Sequence, residues 1–172
     1  VEFRGYAQMQ RCADYYTKRD AQAWLKLRKE IEIPCIKNNP GEISIMCHLR
    51  HGDYRGYGYP LVGLPSYWNA LSYYGLDSNK AFYLSEEDPL PHNGLPNDLS
   101  FMPDFFAMMT APTLLRANST FSWLAGLLSN GIVLSPVIEG LEGGKEHECR
   151  FVPGNWPRFT NLDFVENLHV SP

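Results

Sequence analysis

The sequence predicts an α/β protein with a Rossmann-like parallel sheet and flanking helices. Short apolar segments at residues 43–49, 81–84, 113–115 and 132–134 alternate with stretches of helical composition, the pattern that builds parallel sheets through helical crossovers. The first and third of these segments also run directly into residues with chemistry to offer. Strands of open α/β sheets do the same where their carboxyl ends meet a ligand.

The elements follow in order. Residues 8–32 have helical composition, with Trp24, Leu25 and Leu27 as candidate buried positions, and Pro34 ends the stretch. Residues 43–49 read as a buried strand, followed by a Gly- and Tyr-rich loop over 53–60. Pro65 and Ser66 open a short helix over 65–74, residues 81–84 form the second strand, and 91–97 are turn-rich. A helix over 104–109 leads to the strand at 113–115. Asn118, Ser119 and Thr120 are N-cap residue types, and the Ala/Leu-rich run from Phe121 to Leu128 reads as a buried helix. After the strand at 132–134, residues 139–146 have loop chemistry that suits either a lid or a plain solvated loop. Trp156 either stacks a base or sugar or packs against the sheet.

Composition narrows the function. A chain of 172 residues with 44% hydrophobic content has enough apolar material for one compact domain. Its net charge of −4 gives no basic field, and no Lys/Arg-rich arm is present, so nucleic acid is not an expected partner. No apolar run approaches the roughly 20 residues of a membrane-spanning helix. Cys12, Cys35, Cys47 and Cys149 are too dispersed for a Cys-x-x-Cys pair, and the five histidines lack zinc-site spacing, so no metal centre is expected from them. Gly56-Tyr57-Gly58 has Leu61 where a dinucleotide fingerprint needs its third glycine, and no Walker Gly-Lys-Ser/Thr occurs.

Two stretches carry the candidate chemistry. His48-Leu49-Arg50-His51-Gly52-Asp53-Tyr54 places an imidazole, a guanidinium and a carboxylate at the end of the first strand. An arginine fixed there suits a phosphate or pyrophosphate, whose geometry its planar fork matches, although Arg50 and Asp53 could instead form a simple salt bridge. Ala117-Asn118-Ser119-Thr120-Phe121-Ser122-Trp123 begins a helix near the same sheet edge, where unpaired N–H groups and short hydroxyls bind anions without a lysine. The plain alternative is a capped core helix.

Together these stretches resemble motifs of the GDP-fucose-dependent α-1,2-fucosyltransferases. His48 to Tyr54 is similar to the family's His-x-Arg-Arg-Gly-Asp-Tyr, and Asn118 to Trp123 to its Asn-Ser-Thr-Phe-Ser-Trp. Gly5-Tyr6-Ala7-Gln8 resembles the Gly-Tyr-x-Gln entry, and residues 82–88 resemble the strand ending in Ser-Asp-Asp. Three departures stand out: His51 replaces the second arginine, Glu86 and Glu87 replace the aspartates, and Leu124 follows Trp123 in place of a second tryptophan. Losing a guanidinium at position 51 weakens the expected phosphate grip, because an ordinary imidazole is mostly neutral at pH 7.

The resemblance implies the C-terminal half of a GT-B glycosyltransferase. Residues 1–40 would be a helical lead-in from a further N-terminal portion, and 41–172 the GDP-sugar-binding domain. It implies metal-independent transfer of fucose from GDP-fucose to a glycan hydroxyl with inversion, with no cofactor. Arg50, His51, Ser85, Glu86, Asn118, Ser119, Thr120 and Ser122 are the donor-binding candidates. Arg50 would stabilise the departing diphosphate, while Asp53 and His48 are the nearest candidates for a base. The acceptor surface would lie mainly in the N-terminal portion, so these residues alone are expected to bind GDP with little transfer. A non-catalytic GDP-sugar or glycan-binding module, or a transferase for another GDP-sugar, would use the same motifs.

Overall fold

The computed structural model describes residues 44–90 and 100–155. Its centre is a five-stranded sheet of β1 (Ile45–Leu49), β3 (Ala81–Ser85), β4 (Thr113–Leu115), β5 (Ile132–Pro136) and β7 (Phe151–Pro153), in the order β3-β1-β4-β5-β7. The first four run parallel and β7 is antiparallel to β5. Helices α1 (Gly52–Gly56) and α2 (Leu64–Tyr73) lie between β1 and β3, α3 (Met102–Thr110) between β3 and β4, and α4 (Thr120–Leu128) between β4 and β5. The expected α/β class, with a mostly parallel sheet and flanking helices, is what the chain forms. The helical stretch at 8–32, the turns at 91–97 and Trp156 fall outside the described residues.

The period-2 geometry of β1 assigns its side chains to two cores. Ile45 and Cys47 face a cluster with Tyr67, Ala70 and Leu71 of α2, joined by Leu115, Leu134 and Phe151. Met46 faces the opposite side with Leu84, Phe105 and Met108 of α3, and Ala125 and Leu128 of α4. His48 has the parity of Met46, so the apolar pattern of the strand sends its imidazole toward α3 and α4. Burial on both faces explains why β1 reads as a nearly continuous apolar run.

The strand order creates a switch point. From β1 the chain goes to the β3 edge, then crosses to the other side of β1 to form β4 and β5. Connections leaving β1 and β4 therefore diverge, and the carboxyl ends of those strands border the crevice where such sheets bind ligands. Tyr67 of α2 anchors this edge by donating its hydroxyl to the His48 carbonyl at 2.6 Å. Tyr54 of α1 donates to the Asn118 carbonyl at 3.3 Å, and Asn118 Nδ2 donates to the Pro60 carbonyl at 2.9 Å, linking both strand exits.

Three parts differ from the sequence expectation. The segment 53–60 begins as the single helical turn α1, where the amides of Arg55 and Tyr57 donate to the carbonyls of His51 and Asp53 and Tyr54 is buried. Burial of one aromatic overrides the loop signal of the glycines. A two-stranded parallel ladder joins β2 (Leu61–Val62) to β6 (Glu146–His147), too short to show in periodicity. It ties down the tail: Gly144 donates to Tyr59, and Leu61 to Lys145, each at 2.9 Å. A Cβ on Gly143 would overlap the Gly58 carbonyl oxygen, so the backbones meet where only glycine fits.

Candidate functional site

A cleft of about 730 Å³ opens at the carboxyl ends of β1 and β3 and is closed by α3 and α4. His48, Arg50, Leu84, Ser85 and Glu86 come from the two strand ends, Phe101 and Asp104 from the α3 side, and Phe121 from α4. Three separate stretches singled out in the sequence, around residues 48–54, 82–88 and 118–123, thus contribute to one cleft.

Arg50 stands at its rim with two carboxylates. Its Nε and NH2 donate to Asp53 Oδ1 at 2.9 Å and Oδ2 at 2.7 Å, a bidentate pair, and Nε also lies 2.9 Å from Glu86 Oε2. Partial burial works against the guanidinium charge, but the Asp53 hydrogen bond and the Glu86 charge outweigh it and raise its pKa. The Arg50 guanidinium lies 5.6 Å from the Tyr54 ring centroid. Glu86 Oε1 accepts the Gly52 amide, joining the β3 end to the start of α1. The simple salt bridge weighed for Arg50 and Asp53 is present.

His48 forms part of the wall. It is only 3% exposed, stands edge-on to Phe121 with centroids 6.0 Å apart, and its Nδ1 has no partner among the described residues. Burial first, then the charges of Arg50 and Arg116, pull its pKa down to about 3, so the ring is neutral at physiological pH. A neutral, unpartnered ring nitrogen in a buried wall is a costly feature without a partner.

The Asn-Ser-Thr helix start is largely self-satisfied. Ser119 is the N-cap of α4, accepting the Ser122 amide at 3.2 Å, and the two hydroxyls bond at 2.9 Å. Ser122 Oγ also donates to the Ala117 carbonyl at 2.9 Å. These two serines shape the turn and do not line the cleft. Asn118 is buried, with Oδ1 unpartnered among the described residues, and Thr120 is the first residue of α4. His51 turns away from the cleft: its Nε2 donates to the Val62 carbonyl at 2.8 Å. The tail at 139–148 does not line the cleft either, so its tied conformation, with Lys145 Nζ 2.8 Å from Glu142 Oε2, lacks a lid's position.

Sequence reasoning missed four contributors. Asp104 is half-buried in the cleft, with Oδ1 accepting the Leu90 amide at 2.8 Å, and desolvation raises its pKa. Phe101, 46% exposed, stands edge-on to Phe121 at 6.0 Å. Phe101 lies just before a helix that the sequence placed at 104–109, and Asp104 passed for an ordinary first-turn residue of that helix. Phe121 belonged to the recognised motif but passed for a core residue. Arg116 is wholly buried behind the switch point, donating to Ser135 Oγ at 2.8 Å and the Ala117 carbonyl at 2.9 Å. Burial pulls its pKa down to about 9, against the influence of Tyr67 and Tyr54. It follows β4 as Arg50 follows β1, and the logic that selected Arg50 applies to it.

No family model matches the chain, and no curated protein or solved structure is significantly similar to it. Among the described residues no three His, Cys, Asp or Glu side chains are grouped to hold a metal ion, and no helix is long and apolar enough to cross a membrane.

Proposed function

We propose that the cleft binds a GDP-sugar and that the chain is the donor half of an inverting, GT-B-type fucosyltransferase. The observation that carries this reading is the convergence of the three fucosyltransferase-like stretches on one cleft at the carboxyl edge of a parallel sheet. Chance matches scattered over 172 residues would not be expected to share a cavity.

The chemistry follows from the lining. The diphosphate exchanges with Asp53 and Glu86 for the Arg50 guanidinium, which then offsets the charge that develops on GDP as the sugar bond breaks. Phe101 and Phe121 offer ring surface to the purine. Asp104 supplies a carboxylate able to accept from the guanine N1–H and 2-amino groups, an arrangement uracil does not match. Of the two candidate bases Asp53 is preferred, because a His48 with a pKa of about 3 scarcely takes up a proton at neutral pH. Ser119 and Ser122 serve by fixing the turn behind Phe121. No metal is required where a guanidinium faces the phosphates.

One observation favours a second reading. The Arg50 fork is already filled by a carboxylate, which suits a binding module that does not need to stabilise a departing diphosphate. An assay of the full-length protein with GDP-fucose, GDP-mannose and a panel of glycan acceptors separates the two. Inverted fucosyl product, lost in Arg50→Ala, supports the transferase. GDP binding without GDP release from either donor supports the module, and absence of both binding and release removes both readings.

A further inference from the structure

A second concavity lies elsewhere on the molecule. A groove of about 400 Å³ is lined by Asn69, Tyr73 and Tyr74 at the end of α2 and by Arg150, Phe151 and Val152 leading into β7, and shares no residue with the cleft at β1 and β3. Tyr73 is 83% exposed, so its ring is open to a ligand. Its ring meets that of Tyr74 at 86° with centroids 5.0 Å apart, so the two phenols form a right-angled corner. Tyr74 is fixed there by its hydroxyl, which donates to the Phe151 carbonyl at 3.0 Å.

Planar polar groups surround this corner. Asn69 lies one helical turn before Tyr73 on the same face of α2, and its amide donates to Glu148. Arg150 adds a guanidinium on the strand side. The lining is therefore partly aromatic and carries an amide and a guanidinium, with the Glu148 carboxylate held against the amide. A pyranose presents the complementary surface: an apolar C–H face to lie on a ring and equatorial hydroxyls that bond planar donors and acceptors. Glu148 and Arg150 bring opposite charges, so the groove has no field that selects an anionic ligand.

We infer that the groove between α2 and β7 is a binding site for a neutral saccharide, with Tyr73 as the stacking platform. The inference does not depend on what the cleft binds. Aromatic stacking contributes enough that loss of the ring weakens binding about 3- to 10-fold.

Affinity electrophoresis of the protein through gels holding a soluble neutral galactomannan tests this directly, with polygalacturonate as the anionic comparison. The wild-type protein is expected to be retarded by galactomannan, with or without saturating GDP, and no more by polygalacturonate. Tyr73→Ala and Asn69→Ala lose most of the retardation, while Tyr73→Phe keeps it. Because Tyr73 and Asn69 are exposed, melting temperatures stay near wild type. No retardation by galactomannan, equal retardation of Tyr73→Ala, or abolition by GDP would overturn the inference.

Discussion

Acidification should expose the cost of burying His48. Its folded-state pKa is lowered from 6.5 to about 3, by burial and then by Arg50 and Arg116. Between those values the unfolded chain binds a proton that the folded chain excludes. Stability from this group is therefore complete above about pH 6.5 and falls as pH drops toward 3, by at most about 1.4 kcal/mol per pH unit. From pH 7 to pH 4.5 the loss comes to about 2.5 kcal/mol, a substantial part of a typical total of about 5–15 kcal/mol. Asp104, whose pKa is raised, works in the opposite direction, so the difference between wild type and His48→Gln is the informative quantity. Urea unfolding at pH 7, 6, 5 and 4.5 should give a wild-type curve that falls more steeply than the variant's. Parallel curves would show that His48 takes up its proton in the folded state and would refute the reasoning.

Other perturbations address the remaining elements. Arg50→Ala should weaken GDP binding by on the order of 10²-fold, with little recovery in Arg50→Lys because the planar fork is lost; unchanged affinity in a folded variant would remove Arg50 from the phosphate site. Arg116→Met removes two buried guanidinium bonds, to the Ala117 carbonyl, which keeps the Ser122 hydroxyl, and to the Ser135 hydroxyl, which keeps the Gly154 carbonyl as acceptor, and should cost about 1–3 kcal/mol in all. A denaturation midpoint within error of wild type would contradict this. Ser119→Ala removes the α4 cap and should lower stability by about 1 kcal/mol, measured by thermal unfolding. A neutral effect would mean that the Ser122 amide finds another acceptor.

The parts of the fold visible in the sequence were those with strong local signals. Apolar continuity located β1, β3, β4 and β5 to within a residue or two, and for β1 and β4 it reflects burial on both faces, which tolerates few polar side chains. The Ser119 cap located the start of α4 for the same local reason. What stayed hidden depends on partners far along the chain. β2 and β6 are two residues each and exist because they pair with one another across more than eighty residues, and α1 exists because Tyr54 finds a buried site. At the cleft, His48 and Arg50 could be chosen from their place at a strand end, and Ser85 and Glu86 from the resemblance of residues 82–88 to a fucosyltransferase strand. The direction of His51, decided by the Val62 carbonyl, could not. Asp104 and Phe101 acquire meaning only once α3 is packed beside β3.

The central claim is that the cleft recognises a guanosine diphosphate. Isothermal titration calorimetry with GDP in the presence of a chelator, with UDP as the comparison, tests it most directly. Saturable one-to-one binding of GDP is expected without any divalent ion. UDP should bind at least about 10-fold more weakly, since the half-buried Asp104 carboxylate is then left without its two donors. Absence of GDP binding at millimolar concentration, equal affinity for UDP, or a requirement for added metal would contradict the account.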